Sequence, residues 1–383
     1  MTRTAFTGAR IFDGEDWHER MALLVEDGVV LGLIATDSPT DATRVPVDGS
    51  LIAPGFVDLQ VNGGGGVLLN DAPTVESIAT ICSTFARFGT TACLPTLITD
   101  TPEKVAVALA AGAEAARTGV PGFLGLHLEG PHLAVSRKGA HDPALIRPMT
   151  EADIATLLAA RPLLPNLLVT VAAETVGPEQ ISRLVAGGII VSIGHSDGTF
   201  AQMRAATAAG ASMVTHLFNA QSQLGNREPG VVGGALDFGT FWAGLIADGI
   251  HVHPATIGAA LRAKQGPGRI FLVTDAMSPT GTDWTEFDLG GRTVHRRDGA
   301  LRLSDGTLAG ADLTMIDAVC CIHRDIGLPL EESLRMAALY PAQALGVDDR
   351  HGRLTRGARA DFVVLSDELD LRSTWIGGRL ADL

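Results

Sequence analysis

FVDLQV (56–61), TACLPTLI (91–98) and FLGLHL (123–128) are the first three of eight apolar runs that alternate with Ala-rich stretches. The other five are LLVTVAA (167–173), IIVSI (189–193), MVTHL (213–217), WAGLIA (242–247) and IFLVT (270–274). Apolar strands separated by helices indicate a parallel sheet covered on both faces, and eight such units predict a TIM-like (β/α)8 barrel. An open doubly wound sheet is the alternative, but it usually has fewer strands. The NGGGG run (62–66) lacks that fold's GxGxxG spacing, and we expect a flexible loop there.

Helix signals lie between the runs and after them. Four stretches have an amphipathic helical pattern, with proline or a Ser/Thr/Asp cap near the start: Thr74–Phe88, Pro102–Arg117, Gly198–Ala209 and Pro254–Lys264. Beyond the eighth run, residues 287–310 read as a strand-and-turn excursion beside the last strand, and residues 312–345 read as helical. This order of elements supports the barrel.

Both ends of the chain read as β structure outside the barrel. Residues 1–53 hold short strands with a hairpin turn at Asp27 and Gly28, and the tail 352–365 is again strand-like. Two short β segments cannot each bury a core alone, so we expect the two ends to pair. The prediction is a small β-sandwich domain, residues 1–53 plus 346–383, beside a catalytic barrel of residues 54–345.

Composition excludes several classes of function. The 383 residues include 29 Lys and Arg against 43 Asp and Glu, a formal net charge of −14, without a basic block. Nucleic-acid binders need a basic surface that neutralises phosphates, so we expect no nucleic-acid partner. No run approaches the ~20 apolar residues of a membrane-spanning helix, and no membrane association is expected. The absence of a signal-peptide pattern and of CxxC pairs predicts a cytoplasmic protein with reduced thiols.

Polar residues follow the carboxyl ends of the predicted strands. They are Gln60 and Asn62 after strand one, Glu129 after three, His195 after five, His216 after six, Asp248 after seven and Asp275 after eight. In a barrel these ends converge on one mouth. One carboxylate and two imidazoles form a catalytic zinc set with a fourth position open to water. Any one of them alone is more often a core histidine or a helix cap, so the prediction rests on their joint occurrence.

Several motifs resemble the N-acetylglucosamine-6-phosphate deacetylase family of the amidohydrolase superfamily. They are APGFVDLQVNG (53–63), HLEGPH (127–132), GHSDGT (194–199), THLFNA (215–220), VTDAM (273–277), LAGADLTM (308–315), YPAQALG (340–346) and GRLTRGARADFVVL (352–365). The resemblance runs through nearly the whole chain and keeps the motifs in order. It implies a barrel with a β-sandwich and hydrolysis of the acetamide of N-acetyl-D-glucosamine 6-phosphate to D-glucosamine 6-phosphate and acetate.

The resemblance also implies roles for individual residues. Glu129, His195 and His216 would hold the metal, whose water is the nucleophile, and Asp275 would act as general base and then acid. His141 would contact the substrate and stabilise the oxyanion; a surface-loop histidine is the open alternative. The sugar phosphate would be bound by Asn219, Ala220, His251 and Arg227, with Arg227 reaching across a homodimer interface. Arg227 as a solvated charge and Asn219 as a helix cap remain alternatives. His132 and His253 have no assigned role.

The first strand departs from a common superfamily pattern. Many amidohydrolases carry HxH there for a second metal, whereas this chain has Gln60 and Asn62. Neutral amides are poor ligands, so we expect one divalent ion per subunit. Zinc is the expected ion, with Fe²⁺, Co²⁺ and Mn²⁺ as alternatives.

Three other functions are weighed against this one. Deacetylation of a related phosphosugar, such as N-acetylgalactosamine 6-phosphate, stays open because loop positions decide sugar stereochemistry. A cyclic-amide or other N-acyl hydrolase of the superfamily would typically use HxH and a carboxylated lysine, but no lysine lies between residues 139 and 263. A non-catalytic scaffold would be expected to lose ligands, whereas the predicted ligands and Asp275 are all present.

Overall fold

The structure, a computed structural model, describes residues 3–381. Seven short strands come first: β1 (Arg3–Thr7), β2 (Arg10–Phe12), β3 (Trp17–His18), β4 (Met21–Glu26), β5 (Val29–Ala35), β6 (Thr43–Pro46) and β7 (Leu51–Pro54). The β4–β5 hairpin turns at Asp27 and Gly28, both with left-handed backbone (φ 48° and 83°), as the sequence predicts.

A (β/α)8 barrel follows and confirms the predicted fold. Its elements are β8 (Phe56–Val61), the hairpin β9 (Gly63–Gly64) and β10 (Val67–Leu68), α1 (Val75–Ala86), β11 (Thr90–Ile98), α2 (Pro102–Thr118), β12 (Leu126–Glu129), α3 (Glu151–Ala160), β13 (Leu167–Val171), α4 (Pro178–Ala186), β14 (Ile190–Ile193), α5 (Phe200–Ala208), β15 (Met213–Val214), α6 (Gly230–Asp237), β16 (Trp242–Leu245), α7 (Pro254–Ala263) and β17 (Ile270–Leu272). The strands that correspond to the eight apolar runs are β8 and β11–β17. They are parallel, and each pairs with the next of these strands along the chain.

The barrel closes between its first and last strands at the level of the predicted site. Asp275 N donates to Gln60 O over 3.0 Å, and Asn62 N donates to Ala276 O over 2.9 Å. Because these bonds link β8 to the residues just after β17, the polar residues at the two strand ends are neighbours.

The helices begin where the side chains predict. Thr74, Thr101 and Thr199 each accept a hydrogen bond from a backbone N–H in the first turn of α1, α2 and α5, and Pro102 follows the cap of α2. Such caps satisfy N–H groups that have no partner within the helix. The segments between the strand ends and the starts of α1–α7 form the loops at the barrel mouth, and the longest of them joins β12 to α3.

The NGGGG segment differs from the predicted flexible loop. Gly63 and Gly64 are buried and pair with β10 in a tight hairpin. A Cβ on Gly63 would lie 2.3 Å from Val67 O, so only glycine permits the two strands to approach this closely. The glycines here serve packing.

Beyond the barrel the chain forms a four-stranded antiparallel sheet, three helices and the last strands. These are β18 (Glu286–Leu289), β19 (Arg292–Arg297), β20 (Ala300–Leu303), β21 (Leu308–Ala311), α8 (Met315–Cys320), α9 (Leu330–Ala337), α10 (Leu339–Leu345), β22 (Phe362–Leu365), β23 (Leu371–Ile376) and β24 (Arg379–Leu380); Cys321–Asp325 continues α8 as a π-helical turn. We call β18–β21 the insert sheet. Phe287, Val294 and Leu301 of this sheet pack with Met277, next to the end of β17.

The two chain ends pair as expected. Strand β22 runs antiparallel to β7 in a six-stranded sheet, and β1, β4, β5 and β6 form a second sheet. Phe6 and Leu23 of the second sheet share a buried cluster with Ile52 and Phe362 of the first. The division into residues 1–53 plus 346–383 and 54–345 stays a prediction. Within residues 3–381, no helix combines the length and apolar character needed to cross a membrane.

Candidate metal centre and substrate cavity

The three predicted ligands converge at the barrel mouth. His216 Nε2 lies 2.9 Å from Glu129 Oε1, His195 Nε2 lies 3.2 Å from the same oxygen, and the two Nε2 atoms are 3.1 Å apart. Glu129 ends β12, while His195 and His216 follow β14 and β15 by two residues each. All three side chains are buried. Three residues from separate strands thus point their ligand atoms at one place.

This donor set fits a divalent cation. Ligand bonds of about 2.0–2.2 Å in a tetrahedral arrangement place ligand atoms about 3.3 Å apart, close to the three separations observed. Burial opposes ionisation of Glu129, but its contacts with His195 and His216 outweigh burial and hold the Glu129 pKa well below its usual range. An anionic oxygen beside two imidazole nitrogens is a set that binds zinc and similar ions.

Left-handed backbone is concentrated at the site. His195, His216 and Asp275 have φ values of 46°, 27° and 52°, a region that residues other than glycine rarely occupy. Each follows a barrel strand, and in β15 and β17 the strand ends before the apolar run ends. Of the predicted run 213–217, only Met213 and Val214 are in β15. Such strain of order 1–3 kcal/mol per residue persists where surrounding structure imposes it, often at functional sites.

One ligand ring is held by the neighbouring loop. His195 Nδ1 lies 2.8 Å from the carbonyl oxygen of Arg137 and donates to it, which leaves the Nε2 lone pair of the neutral ring facing the centre. The Arg137 side chain in turn pairs with Asp197 over 2.6 Å, which ties the loop to the turn after His195. His216 Nδ1 is buried without a hydrogen-bond partner in the described part of the chain.

Asp275 lies beside the ligands and is held by the two amides of the first strand. Its Oδ1 accepts from Gln60 Nε2 over 3.0 Å and from Asn62 Nδ2 over 2.7 Å. Gln60 Nε2 also donates to Glu129 Oε1 over 3.1 Å. Burial, followed by the negative charge of Glu129, raises the pKa of Asp275 to about 6. A carboxyl that titrates near neutral pH can both take and return a proton.

His141 is brought to the same place. Its ring packs edge-on against His195 with 4.4 Å between centroids, and its Nδ1 lies 2.7 Å from the Thr99 hydroxyl. Ligand atoms of Glu129, His141 and His195 lie within 4.8 Å of one another, so His141 is geometrically a further candidate ligand. We favour His216, because His141 Nε2 is 3.8 Å from its nearest Glu129 oxygen. Burial lowers the pKa of His141 to about 3, which keeps the ring neutral.

A cavity of about 330 Å³ opens above these residues. Besides the ligands, Asp275, His141 and Asn62, its lining includes three of the four predicted phosphate residues, namely Asn219, Ala220 and His251. The fourth, Arg227, lies on the exposed surface of this chain, outside the lining. The insert sheet supplies one wall through Leu289 and residues 307–310.

Sequence reasoning missed Arg137 as a cavity residue. It lines the cavity and brings a permanent positive charge to the lining. Arg137 lies in the loop between β12 and α3, and a loop position gives no periodic signal that would distinguish it from a solvated surface arginine. Its closeness to His141, which the resemblance did indicate, was the available clue.

The two unassigned histidines make structural contacts. His132 Nδ1 lies 3.1 Å from Arg147 O, and Arg147 pairs with Asp153 in the first turn of α3. His253 precedes α7, and its Nδ1 accepts from Ala255 N over 3.1 Å. These contacts hold the loop after β12 and cap a helix.

Known proteins similar to this chain agree with the fold. Residues 51–381 match the amidohydrolase family. An N-acetylgalactosamine-6-phosphate deacetylase from Shewanella sp. (strain ANA-3) is 43% identical, over 97% of this chain and 94% of that protein. An N-acetylglucosamine-6-phosphate deacetylase from Pasteurella multocida superposes with TM-score 0.95 and 34% identity, over 99% of this chain and 100% of that one.

A further solved structure carries a substrate. It is a variant of N-acetyl-D-glucosamine-6-phosphate deacetylase from Mycobacterium smegmatis in complex with N-acetyl-D-glucosamine 6-phosphate. The two chains are 31% identical and superpose with TM-score 0.90, over 100% of this chain and 99% of that one.

Proposed function

Since this chain belongs to the amidohydrolase family, we propose that it hydrolyses the acetamide of N-acetyl-D-glucosamine 6-phosphate to D-glucosamine 6-phosphate and acetate. The observation that carries the proposal is the convergence of Glu129, His195 and His216 beside Asp275 at the mouth of the barrel. The family implies a divalent metal, and we propose that these three residues hold one zinc ion per subunit. Such an ion would supply Lewis-acid polarisation and lower the pKa of water toward ~7.

Asp275 is the proposed base and acid. Its Oδ1 is occupied by the amide donors of Gln60 and Asn62, so Oδ2 is the oxygen left to exchange a proton. Oδ2 takes the proton of the attacking water and later delivers it to the amine nitrogen of the leaving sugar. The two amides hold the carboxylate in one orientation through both transfers.

His141 is the proposed donor to the substrate oxygen. The Thr99 hydroxyl has one proton to donate and lies 2.7 Å from His141 Nδ1 and 3.3 Å from the Glu129 carbonyl oxygen. We assign that proton to the shorter contact, which leaves the proton of the neutral His141 ring on Nε2. A neutral N–H donor can stabilise the negative charge that develops on the acetamide oxygen without ionising itself. The pKa of about 3 supports this state at neutral pH.

The phosphate is proposed to lie at the other end of the cavity, against Asn219, Ala220, His251 and the Arg137 side chain. Arg227 is proposed to reach the site of the partner subunit in a homodimer. This arrangement is supported by its exposed position and by Leu224, three residues before it in the chain, which is 60% exposed. Apolar side chains at the surface are common at such interfaces.

The cytoplasmic location stays a prediction from cysteine usage.

N-acetylgalactosamine 6-phosphate is the second candidate substrate. It is favoured by the 43% identical Shewanella relative, whose name specifies that sugar. The two sugars differ only at C4, so the same metal centre and phosphate contacts would serve both.

Acetate release is the experiment that tests the function. The purified protein is given the two 6-phosphorylated N-acetylhexosamines and unphosphorylated N-acetylglucosamine, with and without a chelator. We expect chelator-sensitive release that is fastest from a phosphorylated sugar. No release from any of them after zinc is supplied would contradict the proposal and favour a non-catalytic scaffold.

A further inference from the structure

Asp248 and His251 form a buried pair beside the substrate cavity. Asp248 Oδ2 accepts from His251 Nδ1 over 2.6 Å, and the two side chains are only 6% and 5% exposed. Asp248 Oδ1 accepts from the backbone N–H groups of Ile250 and His251, both over 2.8 Å. The carboxylate is thus fixed by three donors in the turn that follows β16.

The second ring nitrogen of His251 faces the cavity. His251 is among the lining residues, and its Nδ1 is engaged by Asp248, so Nε2 is the polar atom directed toward a ligand. Burial alone would raise the Asp248 pKa, but the bond from His251 and the two N–H donors lower it, which favours the ionised carboxylate.

We infer that Asp248 is a positioning residue that holds His251 as an imidazolium with its Nε2–H directed at the phosphate of the substrate. The inference rests on the proposed function, because it requires the phosphate to lie at His251. A carboxylate on Nδ1 fixes the ring orientation and stabilises the doubly protonated form. A charged donor binds phosphate about twice as strongly as a neutral one. In a chain of net charge −14, such a local cation offsets the repulsion of an anionic ligand.

Other titratable groups face this pair. Asp275 lies on the cavity side, and Cys321, which follows α8, interacts with the Asp248 charge. Neither is a cation that could replace His251 as a donor to phosphate. Arg137, which lines the same cavity, is the other cation proposed at the phosphate, and it stays in place when Asp248 is substituted.

Asp248→Asn is the test variant. The amide nitrogen takes the place of Oδ2 and donates to Nδ1, which keeps the ring in place but neutral. We expect KM for the phosphorylated sugar to rise about ten-fold, kcat to stay within about two-fold, and kcat/KM for unphosphorylated N-acetylglucosamine to stay unchanged. A merely structural role would lower kcat/KM for both sugars equally, and that result would overturn the inference.

The chain offers a matched control. Asp13 accepts from the N–H groups of Glu15 and Asp16 over 2.9 and 2.8 Å. It also contacts Nε2 of His18 over 2.8 Å, a similar arrangement among the terminal strands. Asp13→Asn should leave KM and kcat/KM unchanged for both sugars. A ten-fold rise in KM with this control would show that the effect is not specific to the cavity.

A double-mutant cycle locates the effect. In a His251→Ala background, Asp248→Asn should cause no further rise in KM for the phosphorylated sugar, because Asp248 acts only through the ring. Additive effects would overturn the inference.

If Asp248→Asn fails to fold, ¹⁵N NMR of the wild-type protein gives the protonation of His251 directly, and a neutral ring at pH 7 would overturn the inference.

These experiments separate the inference from the function beneath it. If the wild-type protein releases no acetate, the proposed function fails. If the wild-type protein prefers phosphorylated sugar and Asp248→Asn keeps that preference, the function stands and only the role of Asp248 fails.

Discussion

Asp275 is the residue on which the proposed chemistry depends most. Two amides hold its Oδ1, the Glu129 carboxylate lies close by, and its backbone is left-handed. The same surroundings give the residue two properties: a single orientation and a pKa raised to about 6. Both properties can be measured separately.

Asp275→Asn should retain the metal and lose turnover. The amide preserves shape but cannot accept and return a proton, and general acid–base catalysis contributes about 10²–10⁴-fold. We expect kcat to fall by about that factor with metal content unchanged, measured by acetate release and by metal analysis of the same sample. A variant that keeps more than about a tenth of the activity would contradict the assigned role.

The raised pKa can be observed in the protein itself. The pKa of Asp275 lies above the ordinary aspartate value, so the carboxyl is ionised only above about pH 6 and is protonated below. In metal-free protein labelled with ¹³C at aspartate, the Asp275 carboxyl resonance should titrate near pH 6, and Asp275→Asn assigns it. Zinc should lower that midpoint, since a nearby cation favours the carboxylate. A metal-free midpoint near 4 would contradict the effect of burial.

At the scale of elements, the insert sheet contacts the turn that carries Asp275. Ala311 N donates to Asp275 O over 2.9 Å, so β21 is attached to the backbone of the proposed base. Gly310 has φ +67°, and a Cβ there would lie 2.4 Å from Met277 Cγ and 2.8 Å from Asp275 O. Since no ordinary contact is that short, a side chain at residue 310 must displace the turn.

Gly310→Ala should therefore reduce kcat by more than can be explained by the strain of placing alanine at a positive φ. We expect a fall of about ten-fold or more, because small misplacements of catalytic groups are costly. Gly306→Ala is the matched control: it has φ +89° in the same sheet, with nothing within 4 Å of the added Cβ. Kinetics of the two variants should differ. Equal activities would show that β21 does not position Asp275.

The sequence predicted elements better than it predicted their ends. The run 56–61 coincides with β8. The run 213–217 loses three residues from the strand, because the backbone at His216 turns left-handed to direct the ring inward, and apolar periodicity carries no signal for that turn. Gly63 was misread as part of a flexible loop because a glycine needed for close approach looks the same as one in a mobile segment.

The residues of the candidate site also divide into those that the sequence could predict and those that it could not. Glu129, His195 and His216 could be recognised because strand ends of a barrel must meet, whatever the loops do. Arg137 could not, because its position depends on the path of the loop between β12 and α3. Arg227 raises a different difficulty: its proposed partner lies in another subunit, and one chain contains no information on that contact.

At the scale of the whole molecule, the ends of the chain are joined away from the cavity. Strand β22 completes the sheet that begins with β2 and β7, so the chain enters and leaves the barrel through one paired unit. The residues at the mouth of the barrel lie on or just after strands that are spread between residues 56 and 276. Only closure of the barrel brings Gln60 next to Asp275. We therefore propose that closure of the barrel assembles a mononuclear metal site.

X-ray diffraction at the zinc absorption edge, from crystals of the zinc-loaded protein, tests that claim most directly. We predict one anomalous peak per chain, bonded to Glu129, His195 and His216. Two peaks with Gln60 or Asn62 as ligands, or a peak bonded to His141 instead of His216, would contradict it.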